Sequence, residues 1–317
     1  MELLFTNSEE LKQYLPYIDA DITFENIILD ANNSTKTIIK IIGKELYISI
    51  YKLQQEDPES NKQLISAVAY PIAVDAYRNY VINNDVAHTN SGRRMRVSEH
   101  EKQAFEWMID RDNKQLEKRY YKALDNMIET LDELNPLVQS KKNWKDSEEY
   151  KNTFYPLFRT TDEFNEYFEI ESRYLLIKLI PGIKKCIQEE IIPRITESIW
   201  SEYFTALKEN KENPNQNIIY HIKAACAYYS LFWASTRLSA TILPEGILQN
   251  FVAENQTSQA KKVPDTNQFG VLKNVFEKDY KAELVKIENL IKPKINSDNK
   301  SISYEIDLSE NDKIIDI

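Results

Sequence analysis

The sequence predicts an all-α protein: two tandem helical-bundle domains from an internal duplication, followed by an extended C-terminal arm. Three observations carry that expectation. Glycine is scarce, with five in 317 residues, whereas phosphate-cradling loops, nucleophile elbows and tight hairpin turns all want glycine. Apolar residues recur at helical spacing. The chain also nearly repeats itself: IIKIIGKELY at 38–47 returns as IIPRITESIW at 191–200, an offset of 153.

The correspondence runs outward from that match. Leu4-Phe5, Glu10-Leu11 and Tyr14 correspond to Leu157-Phe158, Glu163-Phe164 and Tyr167 at the same offset of 153. Ala67-Val68-Ala69-Tyr70 and Ala76 correspond to Ala225-Cys226-Ala227-Tyr228 and Ala234 at 158. Glu117-Lys118, Tyr120 and Leu124 correspond to Glu277-Lys278, Tyr280 and Leu284 at 160. The offset grows where polar, proline-containing loops lie, QQEDPES against KENKENPNQN. A chance likeness would not hold register inside helices and lose it only between them.

Each element follows from its local pattern. Phe24, Ile27, Ile28, Ala31, Thr35, Ile38 and Ile42 form one helical stripe. Gly43 interrupts it before Leu46, Tyr47, Ile50 and Tyr51. In the second copy this helix is expected to open at Pro181-Gly182, where proline suits a first turn, and to kink at Pro193. The segments 64–81 and 221–238 are rich in alanine and aromatics and apolar nearly all round, as central buried helices are. Ser98 and Glu101 read as a capping box for a long helix with Phe105, Met108, Leu116, Tyr120, Leu124, Met127, Leu131 and Leu134 on one face. The expected organisation is a first domain at 1–137, a linker at 138–154, a second domain at 155–293 and an arm at 294–317. Within the arm, Ile302, Tyr304, Ile306 and Leu308 alternate with Ser303, Glu305 and Asp307, which is the period of a strand at 301–308. With no strand partner in a helical chain, those four residues are expected to dock on a sheet edge of a partner, against the plainer reading of a disordered acidic tail.

Composition narrows the function. Net charge is −10 and pI near 5.1, which argues against generic nucleic-acid binding. Cys186 and Cys226 belong to no CxxC or Cys/His cluster and read as small buried hydrophobes. The N-terminus has no basic n-region, and no window reaches 18 uninterrupted apolar residues, so neither a signal peptide nor a membrane span is expected. His88, His100 and His221 fall in separate segments without HxxxH or HExxH spacing. The only close Glu/His group, Glu99-His100-Glu101, has the wrong spacing for a di-carboxylate metal site in a bundle. No catalytic residue, cofactor or metal is therefore expected, and the carboxylates read as solvated helix faces. The densest basic cluster is SGRRMR, in which Arg93, Arg94 and Arg96 are candidates for contact with phosphates or an acidic partner, against the plainer reading of a solvated loop.

Each copy has the same plan: a short Glu-Leu helix, a long helix ending in Ile39, Ile42, Gly43, Leu46 and Tyr47, an Ala67-Val68-Ala69-Tyr70 helix, and a closing charged helix. That plan resembles the head–tail connector (head-completion, adaptor) proteins of tailed bacteriophages, most of all the tandem versions in phages of the Bacteroides group, crAss-like phages included. The second copy departs from it at Thr196, where the first has Gly43. The resemblance implies a structural virion protein, not an enzyme, without cofactor. It implies a homo-oligomeric ring of about a dozen copies in the neck, bound to the portal and to adjacent tail or neck proteins. DNA would pass through the lumen, and the protein would reside in host cytoplasm during assembly, with no membrane contact. An acidic wall suits a channel through which DNA must slide. The alternative is a non-viral cytosolic all-α interaction adaptor.

Overall fold

The computed structural model describes residues 2–18, 22–84, 86–90, 92–95, 104–134, 144–170, 172–238, 240–243, 246–249 and 266–298. It is all-α in class. The first half runs α1 (Ser8–Tyr14), α2 (Phe24–Ile42), α3 (Lys44–Glu56), α4 (Lys62–Asn84), a hairpin of β1 (Val86–Thr89) and β2 (Gly92–Met95), and α5 (Glu106–Leu134). After a 3-10 turn at Trp144–Asp146 come α6 (Glu148–Thr153), α7 (Thr161–Asn165), α8 (Arg173–Cys186), a π turn at Ile187–Ile191, α9 (Ile192–Ile195), α10 (Glu197–Glu209), α11 (Gln216–Arg237), a hairpin of β3 (Ala240–Leu243) and β4 (Gly246–Gln249), and α12 (Thr266–Asp298). The order of the first half thus recurs in the second.

Each half has its own apolar core. The first gathers Phe5, Leu11, Ile27, Ile38, Ile42, Tyr47, Val68, Ile72, Leu124 and Met127. The second gathers Phe158, Phe164, Leu179, Ile183, Ile191, Ile195, Trp200, Ile222, Leu284 and Ile287. Burying each such isoleucine or leucine stabilises its bundle by roughly 1.5–3 kcal/mol. The first helix of each half is capped alike. The Asn7 side chain accepts from Glu10 N at 2.9 Å. Thr160 Oγ1 accepts from Glu163 N at 3.3 Å.

The buried stripe of the second half's long helix spans one residue more than that of the first. Phe24, Ile27 and Ala31 match Leu176, Leu179 and Ile183 in burial, while Ile38 and Ile42 match Ile191 and Ile195, one residue further along. The π turn between them absorbs the extra residue. It lies just ahead of Pro193, whose missing N–H falls in the first turn of α9, where a proline is tolerated. The expected kink is therefore realised as a π turn. Helix α8 does not open at Pro181-Gly182: it starts at Arg173, capped by Ser172, whose hydroxyl accepts from Leu175 N at 3.1 Å, and Pro181 lies inside it. Gly182 serves close packing instead, since a Cβ there would stand 3.1 Å from Ser230 and Trp233 of α11.

Other expectations are corrected. The stretch containing SGRRMR is not merely a loop, because β1 and β2 pair antiparallel with Thr89 opposite Gly92. The second hairpin sets Leu243 opposite Gly246. Two of the few glycines thus sit where short hairpins turn. Phe105 and Met108 do not join the core face of α5 but are exposed. The second half of the expected linker is structured: Trp144 is buried in the first core, and its Nε1 donates to Asp132 at 2.8 Å. Helix α12 continues to Asp298, into the stretch expected as arm. Ser98 and Glu101 lie outside the described residues.

Candidate assembly surfaces

Where the two halves meet, α8 lies across α5. Asp125 of α5 accepts a hydrogen bond from Tyr174 N at 2.7 Å and another from Ser172 Oγ at 3.0 Å, so a side chain of the first half caps a helix of the second. Tyr121 stacks on Tyr174 with centroids 6.3 Å apart. Arg173, almost wholly buried, reaches Asp132 at 3.5 Å and donates to Thr153 O at 3.2 Å. Tyr174 and Ile177 pack on the first core. The burial that these contacts impose pushes the Asp125 carboxyl above the usual carboxylate range, partly offset by the two hydrogen bonds it accepts.

An open cleft of about 1300 Å³ lies between α1, the α3–α4 turn, α4 and α5. Tyr14, Tyr17 and Tyr70 form its aromatic wall, and Lys62, Lys118, Arg119 and Lys122 ring it against a single acid, Glu59. The Arg119 guanidinium lies 4.2 Å from the Tyr17 ring centroid. Among the described residues, Lys62, Lys118 and Lys122 have no carboxylate partner. The corresponding seam of the second half is bridged instead. Lys223 pairs with Glu163 at 3.1 Å, His221 Nδ1 meets Glu283 at 2.6 Å, and Tyr228 OH donates to Tyr167 O at 3.3 Å. Among the described residues, the first-half cleft has no counterpart to these Glu163 and Glu283 bridges.

The carboxylates are not all on solvated faces. Asp75 is buried in α4, accepting from Ser34 Oγ at 2.8 Å and pairing with Arg78 at 2.7 Å. Arg78 in turn lies 4.8 Å from the Tyr120 ring centroid. This cluster ties α2, α4 and α5 together. Cys186 and Cys226 are buried free thiols, as expected.

Of the residues singled out from sequence, Arg93 and Arg94 lie on β2, opposite His88 and Ala87. Arg96 and the arm residues Ile302, Tyr304, Ile306 and Leu308 lie outside the described residues. Each hairpin is two-stranded, with no third strand among the described residues. Sequence reasoning missed the cleft, whose one local signal is Lys118 and Lys122 a helical turn apart. It also missed the exposed flanks of the closing helices: Phe105, Trp107 and Met108 at α5, and Val271, Leu272 and Val275 on α12.

Residues 38–154 match the model of a protein family of unknown function, DUF6712. No curated protein and no solved structure matches the chain. The matched span begins inside α2 and ends just past α6, so it takes in Gly43, the first hairpin, α5 and the Trp144 turn. Among the described residues, no helix is long and apolar enough to cross a membrane, and no three His, Cys, Asp or Glu side chains gather as metal ligands would.

Proposed function

We propose that this chain is a structural virion protein that forms a ring of about a dozen copies in the neck of a tailed phage, between portal and tail, with DNA passing through the lumen. The observation that carries the reading is the recurrence of one element order in both halves, each with its own core: short helix, broken long helix, Ala-rich helix, hairpin, closing helix. The helices of that order, without the hairpin, are the plan on which the connector resemblance rests. The exposed apolar flanks of α5 and α12 add support, because contiguous exposed apolar surface marks association sites. The net charge of −10 suits a wall that does not grip DNA. On this reading Arg93, Arg94 and Arg96 face an acidic neighbour or DNA phosphates, and the arm at 301–308 reaches an adjacent ring protein.

The basic, tyrosine-walled cleft favours a second reading, a cytosolic adaptor that captures an acidic segment of a non-viral partner. Co-expression with a tailed-phage portal protein separates the two. The connector reading expects the chain to cap the portal as a ring visible by electron microscopy. A chain that leaves portal rings bare is not a connector.

A further inference from the structure

The seam between the halves covers one face of α5, and the same face of α12 is open. Leu116, Tyr120, Leu124, Met127 and Leu131 of α5 match Phe276, Tyr280, Leu284, Ile287 and Ile291 of α12 in spacing and burial. In that register Asp125 corresponds to Val285 and Tyr121 to Lys281. Asp125 and Tyr121 are the residues that α8 covers. Val285 is 55% exposed and the Lys281 side chain 60%. Nothing in the chain follows α12 as α8 follows α5 among the described residues.

The element equivalent to α8 is α2. Carrying the burial match of the two helices back to their starts, Tyr174 corresponds to Ile22 and Ile177 to Glu25. Leu29, one turn beyond Glu25 on the same stripe, is 75% exposed. We propose that the start of α2 in one copy seats on the outer face of α12 in the next, repeating between copies the α8-on-α5 seam seen within the chain. The inference rests on the reading of the chain as a self-assembling ring component and names the surface that would join its copies.

The chemistry of the two faces is complementary. Leu29, and the part of Ile22 that its own core leaves uncovered, offer apolar surface to Val285. Glu25 and Asp30 offer carboxylates to a face that carries Lys278, beside Lys281 and Lys286, which pair within α12 with Glu277 at 2.6 Å and Glu283 at 2.7 Å. The polar cap of the internal seam, Asp125 on Tyr174 N, is replaced by apolar contact flanked by charge. Such a contact is heterologous, with different patches on the two partners, and a heterologous contact closes into rings when its rotation allows.

Cysteine pairing tests this in the full chain. Val285→Cys and Ile22→Cys are made in separate chains, and the native Cys186 and Cys226 are fully buried and silent. Mixed under mild oxidation, the two variants are expected to give a covalent dimer that neither gives alone. The double variant should give a ladder of higher oligomers. A control pair, Tyr220→Cys with Ile22→Cys, should stay uncrosslinked. Val285→Asp should weaken self-association about tenfold or more while leaving the circular dichroism spectrum of the monomer unchanged. No cross-link in a mixture that native mass analysis shows to be oligomeric overturns this surface and leaves the ring reading standing. No cross-link in a mixture that stays monomeric, even on portal rings, overturns both. Self-cross-linking of the Val285→Cys chain alone means an isologous contact and also overturns the proposal.

Discussion

Gly43 and Thr196 occupy the same backbone break: φ 90°, ψ 149° at Gly43 and φ 74°, ψ 154° at Thr196, each between a long helix and the next. That region belongs to glycine, and a side chain there costs about 1–3 kcal/mol. The second half keeps the break without the residue that suits it, so its strain is held by the packing of Ile195 and Trp200 on either side. Thr196→Gly should therefore raise stability by about 1 kcal/mol, net of the entropy that glycine loses on folding. Gly43→Ala should lower it by about 1–3 kcal/mol through backbone strain. The carboxylate of Glu149, 2.6 Å from the added Cβ, ends a flexible side chain and can move aside. Urea unfolding midpoints check both. An unchanged midpoint for Gly43→Ala would show that the break is not required.

The Asp125 seam predicts a pH dependence. Burial holds the carboxyl above its usual range, so the folded state binds the proton more tightly than the unfolded chain does. Stability contributed by this group is then greatest below the unfolded value of about 4 and falls as pH rises through the higher folded value. Asp125→Asn keeps an acceptor for Tyr174 N and removes the charge, so it should flatten the dependence above pH 4 without lowering stability at neutral pH. Asp125→Ala loses the cap of α8 and should cost about 1 kcal/mol. Unfolding midpoints for the three chains at mildly acidic and neutral pH give the comparison; an Asn variant as pH-dependent as the parent contradicts it.

Much of the helical plan was legible in the sequence because burial imposes a period. Ile27, Ile38 and Ile42 step along one face, and Ile191 and Ile195 repeat them. The π turn was not legible as such: Pro193 read as a kink, and the extra residue in the buried stripe shows only in the backbone geometry. The hairpins were hidden because their strands are four residues long and too short to show alternation. Trp144 was assigned to a linker because KKNWKDSEE is polar around one aromatic, and nothing local says that this ring is buried. The cleft draws on α1, α4 and α5, which only the fold brings together. Asp75 was passed over because a lone carboxylate in an alanine-rich helix does not announce its Ser34 and Arg78 partners.

Burial pushes the hydroxyls of Tyr47 and Tyr77 up to about 12, against about 10 in an unfolded chain. The folded state keeps these protons where the unfolded chain loses them. The contribution is present below pH 10 and lost as pH rises through about 12. Tyrosinate absorbance from these residues should appear in a cooperative step, together with loss of helical circular dichroism. Tyr77→Phe should shift that step to higher pH. Smooth titration near pH 10 with the helices intact would contradict the burial.

Replacing Arg93, Arg94 and Arg96 together with serine is expected to spare the helical cores, because changes confined to a polar segment usually alter stability by less than about 0.5 kcal/mol. Assembly with ring or portal partners should weaken at low salt, and the deficit should narrow as salt rises, because screening removes from the parent the charge contacts that the variant already lacks. Sedimentation of the mixed components at low and high salt measures this. Equal assembly by parent and variant at both would leave the cluster as solvated surface.

Native mass spectrometry of the full chain, alone and with a tailed-phage portal protein, tests the central claim most directly. The account predicts a closed ring of about a dozen copies of this 37.2 kDa chain, formed alone at high concentration or on the portal. A chain that remains monomeric under both conditions contradicts it.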